Sequence, residues 1–394
     1  MLPERMVALG TARSVIRELF EFGKERAAVV GPENVFDFSI GNPSVPAPPE
    51  VNREAVRLLR EEDPVLLHGY TSAGGDAQVR DALAASLNRR FDASLTGSRL
   101  YLTVGAAAAL CCCFYGLTCP GDEFVVFAPY FPEYKVFLEG AGASMTLVPA
   151  DTDTFQINFS ALEAALTPST KGVVVNSPNN PSGAVYTEDT IRRLGRLLER
   201  KSVEYGHPIY LISDEPYREI VYDGALAPWL PRYYANTIVC YSYSKSLSLP
   251  GERIGWLAVS PDMEDGELVY AALAGAGRSL GYVNAPSLFQ RVAARCADQT
   301  ADLAVYAENR RLLLEGLGSM GFRCGDPKGT FYLFPQSLEP DDAAFCERAK
   351  RFDLLLVPGS GFGCPGHFRL SYCVPTERIR RALPVFQQLA DSYR

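Results

Sequence analysis

The residues best suited to covalent chemistry lie near position 245, where a lysine follows an apolar run. Residues 237–242 read TIVCYS, and Lys245 follows this run by three residues. Burial disfavours the ammonium form of a lysine, and imine formation requires the unprotonated amine. The hydroxyls of Ser242 and Ser244, together with Arg253, suit a phosphate dianion. Taken alone, the motif could also be a surface lysine that happens to follow a strand.

An acidic motif follows a second apolar run. The sequence SDEPY at residues 213–217 comes after IYLI. A carboxylate at the end of a strand could cap the next helix. Asp214 could instead pair with a protonated pyridine nitrogen, which would make the ring an electron sink for a substrate carbanion. Tyr217 could then hydrogen-bond the phenolic oxygen of that ring.

Two turn motifs also follow apolar runs. NSPNNPSG at residues 176–183 is dense in turn-forming residues and could be only a turn. The amide of Asn180 could also donate to the phenolic oxygen. Gly105, followed by Ala106 and Ala107, opens a helix after RLYLT. Such a glycine leaves backbone N–H groups free to bind an anion, helped by the helix dipole.

An aromatic and a basic residue complete the set of candidates. Phe131, in PYF after EFVVFA, could belong to the core or stack on a flat heteroaromatic ring. Arg369, in HFRLSYC, could form an ordinary ion pair or clamp a substrate carboxylate in bidentate fashion.

The elements around these residues indicate an α/β fold. From about residue 100 to 260, seven β-rich runs, most of them continuously apolar, alternate with helical stretches. Strands of this kind are typical of a mainly parallel, doubly wound sheet that is covered on both faces. One helix is predicted over Thr187–Gly206, with Ile191, Leu194, Leu198 and Val203 on its apolar side. Ligands bind at the carboxyl ends of such strands, where Asn180, Asp214 and Lys245 follow three different runs.

The chain is predicted to divide into a large and a small domain. Residues 46–285 form the large α/β domain, and residues 286–394 form a smaller α+β domain that begins with a long helix over about 285–318. Residues 1–45 supply an N-terminal arm and part of the small domain. The arm is expected to contain an amphipathic helix with Val15, Leu19 and Phe22 on one face.

Composition excludes several classes of function. The formal net charge of −8, with no Lys/Arg cluster, argues against nucleic-acid binding. No apolar run approaches the ~20 residues that span a bilayer, and the N-terminus does not resemble a signal peptide. Ten cysteines without a CxxC pair and only three histidines argue against a metal site and favour free thiols in a reducing cytosol.

Taken in order, these motifs resemble a known family. The set spans almost the whole chain: GNP at 41–43, HGYT and Arg80 at 68–80, VGA at 104–106, PYF at 129–131, NNPSG at 179–183, DEPY at 214–217, SYSK at 242–245 with Arg253, and FRLS at 368–371. It is similar to the fold type I aminotransferases that depend on pyridoxal 5'-phosphate (PLP). Within them it resembles the class I/II group that includes aspartate and aromatic amino acid aminotransferases.

The resemblance implies how the ring of the cofactor is held. Lys245 would be the Schiff-base lysine and the proton shuttle. Asp214 would pair with the pyridine nitrogen, and Asn180 and Tyr217 would contact the phenolic oxygen. Phe131 would take the ring-stacking position.

The resemblance also implies a phosphate site and a dimer. The phosphate would be bound by the turn at Gly105 and by the groups that follow: the backbone N–H groups of Ala106 and Ala107, the hydroxyls of Ser242 and Ser244, and Arg253. Tyr70 would reach the phosphate of the neighbouring subunit, which implies a homodimer with shared active sites. Many relatives have a polar side chain at the position of Ala107, so this site would rely on backbone groups, Ser242 and Arg253.

For the substrate, the resemblance implies that Arg369 binds the α-carboxylate, assisted by Gly41 and Asn180. In aspartate-specific members of one subgroup, an arginine of the partner subunit binds the side-chain carboxylate. The nearest candidate here is Arg278, about one residue out of register. The implied reaction is a ping-pong transfer from an aspartate-type or aromatic L-amino acid to a 2-oxo acid such as 2-oxoglutarate, in the cytoplasm.

Three other functions compete with transamination. A PLP enzyme of the same fold could catalyse β-elimination from cysteine-like substrates, or decarboxylation, with the same cofactor residues. An aminotransferase-like ligand sensor would need a helix-turn-helix segment, for which the chain has no room. A nucleotide-binding α/β protein would need a phosphate loop, and the turn at Gly105 is not one.

Overall fold

The computed structural model describes residues 2–11 and 15–394, and these fall into two units. The smaller unit consists of the described part of Met1–Ser44 with Ala304–Asp326 and Phe331–Arg394. The larger unit consists of Val45–Leu303 and the short segment Pro327–Thr330. Met1 and residues 12–14, which belong to the predicted N-terminal arm, lie outside the described residues.

The N-terminal part of the smaller unit is largely helical. Its elements are α1 (Glu4–Thr11), α2 (Val15–Val30), a 3-10 helix (Pro32–Asn34) and strand β1 (Phe36–Asp37). The three residues of the predicted apolar face all lie in α2, at a spacing that places them on one side of the helix. Leu19 is buried and Phe22 is half-buried, whereas Val15, at the start of the helix, is exposed.

The larger unit alternates strands and helices in the predicted order. Its strands are β2 (Leu100–Thr103), β3 (Glu123–Phe127), β4 (Ser144–Val148), β5 (Thr170–Asn176), β6 (Tyr210–Asp214), β7 (Thr237–Ser242) and β8 (Gly255–Val259). Its helices are α3 (Pro49–Glu61), α4 (Pro64–His68), α5 (Ala77–Phe91), α6 (Ala106–Leu117), α7 (Glu133–Ala141), α8 (Phe159–Ala165), α9 (Glu188–Tyr205), α10 (Tyr243–Ser246), α11 (Gly266–Ser279) and α12 (Ser287–Arg295). Two 3-10 helices cover Gly97–Arg99 and Leu230–Arg232.

The seven strands form one mainly parallel sheet. Their order is β2-β8-β7-β6-β5-β3-β4. Every neighbouring pair is parallel except the two that include β8, which runs antiparallel to β7 and β2. The strands β2 to β7 therefore all end at one edge of the sheet, and β8 begins there. This confirms the predicted α/β fold.

Helices cover both faces of the sheet, which explains why most of its strands are continuously apolar; the edge strand β4 is the exception, since only its Val148 is buried. On one face, Val174 and Ile212 share a buried cluster with Phe114 of α6, Leu138 of α7 and Leu273 of α11. Because successive side chains of a strand point to opposite faces, the neighbours of these strand residues pack against other helices on the far side.

Helix α9 covers part of that far side. Its Ile191, Leu194 and Leu198 pack in a buried cluster with Val173 of β5, as predicted. Val203, however, is 78% exposed, so its place in the predicted stripe was wrong. Five residues after Leu198, its side chain is rotated by about 140° around the helix axis, away from the sheet.

The predicted long helix over about 285–318 is interrupted. It consists of α12 in the larger unit and α13 (Ala304–Ser319) in the smaller unit. Between them, the backbone N–H of Ala301 donates to the carbonyl of Ser246 at 2.7 Å rather than continuing a helix. The segment ADQT at 297–300 has three polar residues in succession after Ala297, so it does not extend the apolar side of the helix.

The rest of the smaller unit is α+β. Its remaining elements are β9 (Tyr332–Leu333), α14 (Asp342–Lys350), β10 (Leu354–Leu355), β11 (Val357–Pro358), a 3-10 helix (Gly359–Phe362), β12 (Phe368–Ser371) and α15 (Thr376–Asp391). The order β11-β12-β9 forms an antiparallel sheet, and β1 pairs with β10 in parallel. Phe322, Phe345 and Phe368 form its aromatic core, with ring centroids 4.8–6.1 Å apart.

Candidate active site

The candidate residues of the larger unit gather at the edge where β2 to β7 end. Asn176 ends β5, Asp214 ends β6 and Ser242 ends β7. Asn176 and Asp214 are register partners on neighbouring strands. Arg253 reaches the same edge because it comes just before β8, which starts there. Residues far apart in sequence thus lie around one end of the sheet, as expected for a ligand site in this architecture.

The carboxylate of Asp214 is buried and held on one side. Its Oδ2 accepts a hydrogen bond from the Tyr134 hydroxyl at 2.5 Å and lies 3.4 Å from Nδ2 of Asn176. The same Nδ2 donates to the Asp214 carbonyl oxygen at 2.8 Å. Oδ1 has no hydrogen-bond partner among the described residues, although it is buried.

Burial dominates the electrostatics of Asp214. Desolvation raises the pKa of this carboxyl to about 7, against the hydrogen bond from Tyr134, which lowers it; the neighbouring Glu215 raises it further. Glu215 is itself buried beside Arg218, with which it forms an ion pair. A positively charged partner for the open Oδ1 of Asp214 would therefore favour the ionised form of that carboxyl.

Asn176 connects Asp214 to the turn that contains Asn180. The Oδ1 atom of Asn176 accepts a hydrogen bond from the backbone N–H of Asn180 at 2.8 Å. Asn180 is 6% exposed, in a turn that is buried from residue 176 to 184. The sequence motif is thus more than a surface turn, since it is buried beside the acidic motif.

A second group of donors surrounds the start of α6. Gly105 caps this helix with φ 88°, and no side chain caps the first-turn N–H groups, which include those of Ala106 and Ala107. Nη1 of Arg253 lies 3.5 Å from Oγ of Ser244, whose oxygen is 2.7 Å from Oγ of Ser242. Backbone N–H groups, two hydroxyls and a guanidinium together suit a bound phosphate dianion.

The glycines of this region permit close backbone approach. A Cβ atom on Gly105 would lie 2.7 Å from Nη2 of Arg253. A Cβ atom on Gly255, at the start of β8, would lie 3.0 Å from Cα of Gly105. A side chain on Gly105 would fill the space next to the guanidinium, and one on Gly255 would collide with the backbone of Tyr241 and Gly105.

The remaining candidates of the larger unit lie in or near the same loops. Lys245 is half-buried in α10, directly after β7. Tyr217 is 5% exposed in the turn after Asp214. Phe131 is half-buried after β3, and its ring contacts that of Tyr134 edge to face, with centroids 5.7 Å apart.

Two candidates lie on the surface of the single chain. Tyr70 is 97% exposed in the loop that follows α4. Arg278 is exposed in the last turn of α11. Both side chains are therefore accessible to another molecule.

In the smaller unit, Arg369 is held rigidly on β12. It is 3% exposed, and its Nη2 donates to the carbonyl of Ser39 at 2.5 Å. Its guanidinium carbon lies 4.7 Å from the ring centroid of Tyr332 and 4.9 Å from that of Phe362. Gly41 adjoins this group, because a Cβ atom there would overlap the Tyr332 hydroxyl. A planar cation fixed in this way is suited to bidentate binding of a carboxylate.

The family follows from a comparison with known proteins. Residues 33–386 match the family described as Aminotransferase class I and II. The chain belongs to this family. It is 30% identical over 374 residues to the aspartate aminotransferase of Thermotoga maritima, covering 94% of this chain and 95% of that protein. It is 32% identical over 361 residues to the aspartate/prephenate aminotransferase of Thermus thermophilus, covering 89% of each.

Solved structures give the same result for the fold. The crystal structure of an aminotransferase from Eubacterium rectale is 55% identical in sequence, with a TM-score of 0.98 over 100% of this chain and 99% of that one. The aspartate aminotransferase from Thermus thermophilus with maleate is 29% identical, with a TM-score of 0.85 over 99% of each chain. These neighbours are PLP enzymes of fold type I.

This class I/II aminotransferase is thus a PLP-dependent transaminase. The alternatives of β-elimination, decarboxylation and a non-catalytic sensor are not favoured by relatives that match over most of the chain. Among residues 2–11 and 15–394, no helix is long and apolar enough to cross a membrane. Within the same described ranges, no cluster of three or more His, Cys, Asp or Glu side chains could hold a metal ion.

The residues of the aminotransferase fit PLP on two structural observations. The buried Oδ1 of Asp214, without a partner among the described residues, can accept a hydrogen bond from a protonated ring nitrogen. The space beside Arg253, which a Cβ atom on Gly105 would fill, adjoins the N-terminus of α6. The Asp214 carboxylate suits the ring of the cofactor, and the space beside Arg253 suits its phosphate.

Sequence reasoning missed several residues that surround the candidates. Tyr134 lies 80 residues before Asp214, and no local pattern distinguishes it from the other buried tyrosines. Asn176 was recognised only as part of a turn, although an amide at the end of a buried strand needs partners. Tyr332 and Phe362, whose rings both contact the guanidinium of Arg369, come from separate segments of the smaller unit.

Proposed function

We propose that this aminotransferase transfers the amino group of an L-amino acid, of aspartate or aromatic type, to a 2-oxo acid such as 2-oxoglutarate in a ping-pong reaction. The observation that carries the proposal is the buried Asp214, which has one open oxygen and lies at the same sheet edge as Lys245. The names of the relatives, aspartate and aspartate/prephenate aminotransferase, support this class of donor.

The larger unit would hold the cofactor. Lys245 would bind PLP as a Schiff base, and Asp214 would accept a hydrogen bond from the ring nitrogen. Tyr217 and Asn180 would donate to the phenolic oxygen, and Phe131 would stack on the ring. Residues 46–285, with the strand ends that carry these side chains, would thus form the cofactor-binding domain.

The phosphate would be bound at the start of α6. The groups described there would supply its donors: the turn at Gly105, the N–H groups of Ala106 and Ala107, Ser242, Ser244 and Arg253. Ala107 carries no polar atom on its side chain, so the hydroxyls and the guanidinium would bear more of the binding. Helix N-termini and arginine both favour a dianion.

PLP, when bound, supplies the electron sink that stabilises a carbanion at the substrate α-carbon. The amine of Lys245 would take the proton from that carbon and deliver it again as general base and general acid. Asp214 would remain ionised during this step because its open oxygen faces a positive charge. The buried surroundings of Asp214 would strengthen that interaction relative to water.

The substrate carboxylate would be bound by Arg369, which belongs to the smaller unit. Its fixed, buried guanidinium supports this role, with Gly41 beside it and Asn180 assisting. Arg278 is the candidate for an acidic substrate side chain, since it is exposed and would act from a partner subunit.

The proposed assembly is a homodimer with shared active sites. Tyr70 supports it, because an aromatic side chain that is 97% exposed can reach a neighbouring subunit. Val65 and Leu66 on the adjacent α4 are 79% and 69% exposed and would be covered at the same interface. We also propose a cytoplasmic location, which the ten free cysteines support.

The test is a panel of amino acids incubated with PLP-loaded protein and 2-oxoglutarate. Glutamate formed from aspartate or aromatic amino acids would support the proposal. Ammonia and pyruvate without glutamate would contradict it. Lys245→Ala is expected to lose nearly all turnover, whereas Lys135→Ala, on the exposed side of α7, should retain it.

A further inference from the structure

The contacts of Asp214 are one-sided. Two donors from different elements, Tyr134 of α7 and Asn176 of β5, approach Oδ2 at 2.5 and 3.4 Å. The other oxygen receives none from the described residues. A carboxylate bound in this way has a preferred rotation, because turning it would exchange a bonded oxygen for an open one.

The donor Asn176 is fixed at both ends of its amide. Its Oδ1 accepts the N–H of Asn180 at 2.8 Å, which leaves Nδ2 to face Asp214. Nδ2 in turn donates to the Asp214 carbonyl at 2.8 Å. The amide therefore connects the backbone of Asp214 to the backbone of Asn180.

The donor Tyr134 is fixed by packing. Its side chain is 1% exposed and belongs to the cluster between α6, α7 and the sheet. Burial and the adjacent Asp214 hold the pKa of the Tyr134 phenol well above its usual range, so it remains a protonated donor. Because the phenol is neutral, it can donate a hydrogen bond to the Asp214 carboxylate without neutralising its negative charge. That charge remains available to pair with a protonated ring nitrogen.

We propose that Tyr134 and Asn176 are positioning residues that orient the Asp214 carboxylate, so that Oδ1 is presented to the cofactor ring while Asn180 is held in register with it. This inference rests on the proposed role of Asp214. The two residues would act through Asp214 and Asn180 and would not touch the reacting atoms.

The proposal can be tested with a matched pair of tyrosine variants. Tyr134→Phe removes only the hydroxyl that binds Asp214. Tyr101→Phe removes a hydroxyl from the same buried cluster, and that hydroxyl has no partner among the described residues. Purified apoprotein is titrated with PLP by equilibrium dialysis, and the Kd is compared with that of the wild type.

We expect the Kd for PLP to rise about 10-fold in Tyr134→Phe, as for the loss of one hydrogen bond to a charged group. Tyr101→Phe should stay within about twofold of the wild type, since it removes no hydrogen bond. Asn176→Ala should weaken PLP binding at least as much as Tyr134→Phe, because both Asp214 and Asn180 lose a partner.

A second readout separates positioning from general damage to the fold. Besides Tyr134, the titratable group that shifts the pKa of Asp214 is Glu215; Asp214 in turn helps to raise the pKa of the buried Cys240 thiol above its usual range. Because burial raises the pKa of Asp214 to about 7, its folded form holds a proton more tightly than its unfolded form. The stability of the apoprotein should therefore fall as pH rises toward 7.

The hydrogen bond from Tyr134 lowers the pKa of Asp214. Without it, the stability of the apoprotein should continue to fall with rising pH until above pH 7. Urea unfolding of the apoproteins over pH 4–9 measures the shift, and Tyr101→Phe should leave the profile unmoved. Equal Kd values and equal profiles for wild type and Tyr134→Phe would overturn the positioning role alone. A wild-type protein that binds no PLP would overturn the proposed function as well.

Discussion

The backbone of Gly105 and the guanidinium of Arg253 approach so closely that a Cβ atom on Gly105 would lie 2.7 Å from Nη2. Gly105 also has φ 88°, a conformation that side chains rarely adopt. One glycine therefore meets two requirements, a turn into α6 and room for a cation above that turn.

Gly105→Ala should weaken PLP binding through displacement of Arg253. Gly121→Ala is the matched control, since Gly121 has φ 92° but nothing within 4 Å of its added Cβ. Both variants should lose about 1–3 kcal/mol of stability from backbone strain. Only Gly105→Ala should raise the Kd for PLP, measured by dialysis. A similar rise in both variants would refute the close contact as the cause.

Arg369→Lys should impair substrate binding and leave the cofactor in place. Lysine lacks the planar fork that binds a carboxylate in bidentate fashion, and its ammonium cannot make the same contacts with the rings of Tyr332 and Phe362. We expect KM for both amino acid and 2-oxo acid to rise by about 10-fold or more, with an unchanged PLP spectrum. Arg310→Lys, at a buried arginine of the same unit, controls for lost packing. An unchanged KM in Arg369→Lys would exclude the carboxylate role.

Asp214→Asn should make the apoprotein more stable to unfolding at high pH but not at low pH. Burial raises the pKa of Asp214 from its ordinary value to about 7, so the wild-type apoprotein loses stability between about pH 4 and pH 7. The amide does not titrate, and the variant apoprotein should be the more stable of the two at pH 8, by on the order of a few kcal/mol. Below pH 4 this advantage should disappear.

Urea denaturation of the apoproteins at both pH values measures the difference, with the exposed Asp153→Asn as control. In the presence of PLP the order should reverse, because the wild type gains stability from a ligand that the variant binds weakly. If the apo variant were less stable than wild type at pH 8, burial would not be the dominant effect on Asp214.

Shared active sites predict complementation between two inactive variants. A subunit with Lys245→Ala and a subunit with Tyr70→Ala would form hybrid dimers in which one site has both defects and the other has none. Random mixing in equal amounts should restore about a quarter of wild-type activity, as symmetry requires. The unmixed variants serve as baselines, and sedimentation shows whether dimers form. A mixture no more active than its components would argue against Tyr70 acting across subunits.

The sheet and the positions of its polar residues could be predicted because the signals are local. Seven apolar runs between helical stretches have few alternatives to buried strands, and parallel strands bring their ends to one edge. Asp214 at the end of β6 and Lys245 after β7 follow from this arrangement. The order of the strands could not be derived from single runs, since it depends on contacts between distant segments.

The details that sequence reasoning missed are long-range or stereochemical. Val203 continues an apolar pattern in the sequence but points away from the sheet, because five residues do not complete whole helical turns. At the break between α12 and α13, the backbone N–H of Ala301 donates to the carbonyl of Ser246, a residue 55 positions earlier in the sequence. The pairing of Tyr134 with Asp214 likewise exists only in the folded chain.

The most direct test is to identify the amine that carries the cofactor. PLP-loaded protein is reduced with borohydride, digested, and mapped by mass spectrometry. We predict a single phosphopyridoxyl label on the peptide that contains Lys245, and none in Lys245→Ala. A label on another lysine, or a protein that takes up no PLP, would contradict the central claim.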